Sequence, residues 1–178
     1  MEHNTYWYVL FTRTGQEEKV LQLLRKQLDS DVYMPFIPML EMILRNSGQI
    51  KKELKPLFPS YVFIESEVSS LEIIKDTKRI ISASSDIIRF LQYEDTGNIA
   101  LKEQEKNTLL RLCNNDRYIE SSRGIIVGTR VYIKEGPLIG LESIIRKIDR
   151  HRRRAIIEFD FMGAMRQTVV SLEIVEKV

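Results

Sequence analysis

The chain has 178 residues, 43% of them hydrophobic and 29% charged, with a formal net charge of +2. This length suits one mid-sized domain or two small ones, and the apolar share excludes disorder throughout. A single cysteine, Cys113, excludes an internal disulfide and any multi-cysteine metal cluster.

The N-terminus, MEHNTYWYVLFTR, lacks a basic region followed by a long apolar stretch, so no signal peptide is expected. No run approaches the roughly 18 to 20 apolar residues of a membrane span. A soluble, cytoplasmic protein is the expectation, with His3 in an N-terminal tail. Tyr6 to Thr12 (YWYVLFT) then reads as a strand rich in aromatic and β-forming residues. Thr14 and Glu17 have capping-box spacing, and Val20, Leu23, Leu24 and Leu28 repeat on one face of a helix running to about Leu28.

Val32 to Pro38 holds two prolines and cannot be helix interior. Met39 to Leu44 and Gln49 to Leu54 flank Asn46-Ser47-Gly48, a hairpin whose outer part is basic through Arg45, Lys51, Lys52 and Lys55. Tyr61 to Glu65 is a short strand. Ser70 to about Thr77 is a short helix capped by Ser69 or Ser70. Ile80 to Phe90 is ambiguous, with Ile80-Ile81 and Ile87 to Phe90 readable as separate strands around a serine-rich turn. Leu101 to Leu112 reads as helix, and residues 113–122 (CNNDRYIESS) as a linker.

Beyond the linker the period is that of short strands: Thr129 to Lys134, Leu141 to Lys147, Arg153 to Phe159, Arg166 to Val170 and Leu172 to Glu176. Five such strands without a convincing helix predict a small, bent antiparallel β-barrel. Charge divides in the same region. Residues 1–122 carry 16 Lys and Arg against 18 Asp and Glu, whereas residues 123–178 carry 11 against 7. A split of that kind points to different partners on each side.

No catalytic set emerges. His3 and His151 have no cysteine or carboxylate spacing that makes a metal site or a triad, and Gly136 to Gly140 lacks the Gly-Lys-Ser/Thr ending of a phosphate loop. The strongest residue-level signal is the basic cluster of Arg146, Lys147, Arg150, His151, Arg152, Arg153 and Arg154. Held at one rim between paired strands, these guanidinium groups suit phosphates and unpaired bases. The alternative is a solubilising turn. Arg166, on a later strand, either reaches that face or does not. A second set is aromatic. Trp7 and Phe11 share one strand face, Tyr61 and Phe63 another. If the two strands are neighbours, one sheet face carries all four, either as core or as an apolar protein-docking groove.

Three stretches, WYVLFTRTGQEEKV, PLFPSYVFI and GTRVYIKEGPLIGLESIIRKIDRHRRRAIIEF, resemble in order and spacing the signature segments of the NusG family of transcription elongation factors. Among its specialised members the chain is most similar to LoaP-type antiterminators, then to the RfaH type. The resemblance implies an α+β protein: an NGN-type α/β sandwich over residues 1–112, a linker over 113–122 and an SH3-like KOW barrel of five antiparallel strands over 123–178. It implies a non-enzymatic factor, monomeric and without metal or cofactor. Its first domain would dock on the clamp helices of the largest RNA polymerase subunit, with Trp7, Phe11, Tyr61 and Phe63 matching the apolar docking positions. Its barrel would bind an RNA hairpin in the nascent leader transcript, as in LoaP-like members. In general factors that barrel contacts Rho or a ribosomal protein instead. Lys51, Lys52 and Lys55 match the hairpin that approaches DNA in the family. Ser60 departs from the family glycine, which alters turn geometry. The β-rich composition after residue 125 implies a stable barrel that does not switch to helix.

Overall fold

The structure, a computed structural model, describes residues 5–46 and 48–178; His3, Ser47 and the side chain of Arg45, read above as tail, turn and hairpin cation, lie outside the described residues. The chain divides into two compact units, Met1–Ile37 with Phe58–Lys106, and Pro38–Leu57 with Asn107–Val178.

In the first unit, β1 (Tyr6–Thr12), β2 (Tyr33–Phe36), β5 (Tyr61–Ser66) and β6 (Ile87–Phe90) form an antiparallel sheet in the order β2-β5-β1-β6. The strands alternate, so each has two faces. Tyr8, Leu10, Val62 and Ile64 point to one face and pack with Val20, Leu21 and Leu24 of α1 (Glu17–Gln27) and Ile73 and Ile80 of α2 (Ser70–Ala83). Each such aliphatic side chain contributes roughly 1.5–3 kcal/mol by leaving water.

Helix α2 runs six residues past the predicted Thr77. Ile80 and Ile81 are β-branched and read equally well as a strand, but Ile73, Thr77 and Ile80 fall on one helical face and are all buried. Ser69 and Glu72 start the helix with a reciprocal capping box. The capping box expected at Thr14 and Glu17 is absent: Gln16 is the cap residue and makes no side-chain cap bond. Thr14 instead bonds the Ser60 hydroxyl at 2.7 Å, and the Glu17 carboxylate accepts from the Ser60 backbone N–H at 2.6 Å.

In the second unit, β3 (Met39–Asn46) and β4 (Gln49–Pro56) form the expected hairpin, and β7 (Tyr118–Ile119) adds to it in parallel at Met39 and Leu40. The linker segment therefore contributes a short strand. Helix α3 (Glu103–Leu112) leads from one unit's residues to the other's. The remaining strands are β8 (Ser122–Val127), β9 (Arg130–Glu135), β10 (Ile145–Asp149), β11 (Arg154–Phe161) and β12 (Ala164–Lys177).

These five strands do not make the antiparallel barrel that the sequence predicts. They form an open mixed sheet of order β10-β11-β12-β8-β9, KOW-like in its strand content, with β12 running parallel to β8. Two features account for the open sheet. The segments read as two strands on either side of Ser171 are one continuous 14-residue strand, which pairs with β11 through Ser171 and with β8 from Leu172 onward. The strands β9 and β10 end up at opposite edges, separated by a 3-10 turn at Glu142–Ile144. On β9 the Ile133 N–H donates to the Glu142 carboxylate at 3.3 Å, a side-chain partner in place of a closing strand's carbonyl. Strand β8 precedes Thr129 to Lys134, the first strand that the sequence pattern predicts after the linker, and takes up the last linker residue, Ser122. A Cβ at Gly136, which has φ +94°, would stand 2.7 Å from Ser121 and Ser122, so this turn closes onto the start of β8 only with glycine.

Candidate functional site

The basic cluster is built by the β10–β11 hairpin. Asp149 pairs with Arg154, leaving Arg150 to Arg153 as the connecting turn, as the spacing predicts. Asp149 fastens it by accepting the Arg152 backbone N–H at 2.9 Å. That bond, more than the neighbouring cations, holds the Asp149 carboxyl below its ordinary range. Arg153 adopts φ +52°, and its backbone carbonyl accepts the Leu172 N–H at 3.0 Å.

The cations divide by what already engages them. Arg146 is bound to Glu158 at 2.8 Å, and Glu158 also accepts from Gln167, so both bonds lower its pKa. Arg153 is paired with Glu173 at 3.0 Å, and Glu173 also holds Arg123. Arg154 is half-buried on β11, directly opposite Ser171. Lys147, Arg150, His151 and Arg152 are exposed. Arg152 lies 3.8 Å from Asp149 with the arginine side chain 77% exposed, and ion pairs of that kind are weak. Arg166 stands opposite Phe159 and so lies on the sheet face of Ala155, Ile157 and Phe159, away from Arg146, whose partner Glu158 is on the other face.

Two concavities flank the turn. One, of about 500 Å³, is lined by residues 147–151 with Arg153, Glu173 and Ile174, and so carries carboxylates. The other, of about 570 Å³, is lined by residues 150–154 with Ile43 and Leu44 of β3 and has no carboxylate in its lining.

Strands β1 and β5 do bring the aromatic set to one sheet face: Phe11 opposes Tyr61, and Trp7, Val9, Phe63 and Glu65 share that side. Phe36 of β2 opposes Phe63 and joins them. Trp7 meets Phe36 edge-on at 4.9 Å and Phe63 at 6.1 Å, while Phe58, which periodicity did not single out, stacks 6.2 Å from Phe63. Burial separates the four. Trp7 is 1% exposed and Phe63 0%, both in the core, whereas Phe11 and Tyr61 are half-exposed and meet edge-on at 6.0 Å. Lys51 and Lys52 oppose Leu44 and Ile43 across the β3–β4 hairpin, and Lys55 opposes Leu40. All three lysines are exposed or nearly so, with Lys52 3.2 Å from Glu41 and Lys55 3.8 Å from Glu53.

Residues 5–110 match the family described as transcription termination factor nusG. The chain belongs to the NusG family. It is 25% identical to the transcription termination/antitermination protein NusG of Halalkalibacterium halodurans over 97% of its own length and 96% of that protein's. It is 24% identical to the NusG of Haemophilus influenzae, over 97% and 94%. Its fold is that of Thermotoga maritima NusG, solved in a study of domain interaction, with a TM-score of 0.57, 21% identity and 94% of both chains covered. Membership gives this NusG-family chain a non-catalytic, regulatory role in transcription elongation and antitermination. Among the described residues, no helix is long and apolar enough to cross a membrane.

Two residues that matter to the geometry escaped sequence reasoning. Ser171 sat in the gap between two presumed strands, and its hydroxyl ties β12 to the backbone of β3, accepting from Ile43 N–H at 3.2 Å and donating to Glu41 O at 2.9 Å. Glu17, at capping-box spacing from Thr14, instead holds the Ser60 corner.

Proposed function

We propose that the chain is a specialised antitermination factor of the LoaP type, which restrains RNA polymerase through its N-terminal part and reads structured leader RNA through the Arg150–Arg153 turn. The observation that carries this reading is the turn itself. Arg150, His151 and Arg152 project from a hairpin whose backbone is fastened, next to a concavity lined without carboxylates. The Arg150 and Arg152 guanidinium groups, two positions apart on one turn, suit phosphates and gain from counterion release.

Residues 1–112 serve as the polymerase-binding part, 113–122 as the connection and 123–178 as the RNA-binding part. The docking contact is to the clamp helices of the largest subunit. Phe11 and Tyr61 are its outer members, with Trp7 and Phe63 enclosed further along the same sheet face. Lys51, Lys52 and Lys55 face nucleic acid near the polymerase. The factor acts in the cytoplasm as a monomer, without metal or cofactor, and tethering two weak contacts raises the effective concentration of the second. The test is transcription through a terminator by purified polymerase, with and without structured leader RNA upstream. Readthrough that requires the leader and is lost in Arg150→Ala/Arg152→Ala supports the reading. Readthrough independent of any leader overturns its specialised part.

A second reading is favoured by the relatives, which bear the general name termination/antitermination protein NusG over nearly the whole chain. On that reading the C-terminal sheet recruits Rho or a ribosomal protein. Binding of either protein that is unaffected by RNA supports it.

A further inference from the structure

Sequence reasoning treats the lysine hairpin and the arginine turn as two separate contacts, one toward DNA and one toward RNA. Within the second unit they are parts of one surface. Arg154 on β11 pairs with Ser171 on β12, and the Ser171 hydroxyl accepts the Ile43 N–H and donates to the Glu41 carbonyl of β3. Ile43 in turn pairs with Lys52, and Leu44 with Lys51, across the hairpin. One side chain thus fixes the edge of β3 beside the basic turn, with the 570 Å³ cleft between them. This edge is available because β7 covers only Met39 and Leu40.

We propose that this cleft binds a single-stranded stretch of RNA, with Ser171 as its positioning residue. The inference rests on the RNA-binding reading above and extends it to residues that lie more than a hundred positions earlier in the chain. The cleft's lining sets its chemistry. Arg150 and Arg152 supply guanidinium groups for phosphates, and Ile43 and Leu44 supply an apolar wall against which a base can lie. A concavity of about 570 Å³ has room for a base and its phosphate. The opposite side of the turn is the poorer seat, because Glu173 and Asp149 line it and would repel phosphate. Lys52 pairs with Ile43 and Lys51 with Leu44, so the two lysines stand one strand beyond the apolar wall of the cleft. The pair between Lys52 and Glu41 is no obstacle: the lysine is 66% exposed, and such pairs are weak. Electrostatic grooves that follow a backbone while apolar surfaces take the bases are the usual design for single strands.

The test measures binding of the full chain to poly-uridine RNA and to a fully paired RNA duplex across a range of salt. Poly-uridine should bind more tightly than duplex. Lys51→Ala/Lys52→Ala, on the surface and without effect on folding, should weaken poly-uridine binding about tenfold and reduce the salt slope by about 0.7 for one lost phosphate contact and about 1.4 for two. Ser171→Ala should reduce the slope in the same direction with all its cations present, a change that loss of stability alone would not produce at temperatures where the variant stays folded. Duplex binding as tight as poly-uridine overturns the proposal. So do lysine and Ser171 variants that bind as wild type. If Arg150→Ala/Arg152→Ala still weakens binding in that case, the RNA reading survives without the cleft; if it too has no effect, both fail.

Discussion

Ser60 donates its backbone N–H to the Glu17 carboxylate at 2.6 Å, and it does so from a left-handed backbone with φ +73°. Its carbonyl accepts the Thr12 N–H at 2.8 Å and the Thr12 hydroxyl at 3.1 Å, so the corner before β5 is bonded on both sides. This is the position where the family pattern has glycine. Serine tolerates the left-handed region at a cost of about 1–2 kcal/mol. Ser60→Gly relieves that cost but gives up the Thr14 hydroxyl bond and adds chain entropy to the unfolded state. Its stability should lie within about 1 kcal/mol of wild type, whereas the β-branched Ser60→Val should lose at least about 2 kcal/mol. Urea unfolding of the two variants measures both.

Glu17 also predicts a pH dependence. Burial pushes its carboxyl up, but N–H groups of Glu17 itself, Ser60 and Gly15 outweigh burial and hold it below its ordinary value of 4.5. A depressed carboxyl contributes stability above its ordinary pKa, and that contribution is lost as pH falls through the folded value. Glu17→Gln should therefore flatten the fall in stability on acidification below about pH 4.5, and Glu17→Ala should cost about 2 kcal/mol at neutral pH by stranding the Ser60 N–H. A Glu17→Gln variant as acid-sensitive as wild type would contradict this.

The aromatic face separates into members that hold the fold and members that can be changed without losing it. Trp7→Ala and Phe63→Ala should each cost about 3–5 kcal/mol, because both side chains are enclosed. Phe11→Ala and Tyr61→Ala, half-exposed, should cost clearly less and leave a folded chain. Polymerase binding that falls in these two variants at unchanged circular dichroism assigns them to docking. Unchanged binding removes them from it.

How far the sequence could be read depended on whether a signal was local. The strand Tyr6–Thr12 and the hairpin at 39–56 were legible because alternation and turn residues lie within a few positions of each other. The sheet's closure was not. Whether β9 meets β10 depends on how a 14-residue strand divides its pairing between β11 and β8, which no local pattern encodes. Likewise, the arginine turn was visible as composition, but Ser171, which brings β3 beside it, is one small hydroxyl residue among Val169, Val170 and Leu172, with no local signal of its distant partner. Thr14 and Glu17 had the correct spacing for a cap, and tertiary partners at Ser60 took both side chains.

The lone cysteine should be inert. Burial pushes the Cys113 thiol up to about 11, against a smaller opposing effect from Arg117, so little thiolate forms near neutrality. Iodoacetamide should label the native chain slowly and the urea-unfolded chain readily. Equal rates in the two states would contradict the partial burial that raises this thiol.

The most direct test of the central claim is a salt titration of the full chain against a pool of structured leader RNAs, with two double variants alongside. Arg150→Ala/Arg152→Ala removes exposed guanidinium groups, while Arg153→Ala/Arg154→Ala removes one paired with Glu173 and one half-buried in the sheet. The account predicts binding to a subset of hairpins, with affinity and salt slope both reduced in the first variant and stability reduced in the second. Binding that is absent in wild type, or equally strong in Arg150→Ala/Arg152→Ala, would contradict it and leave the basic turn as a solvated loop.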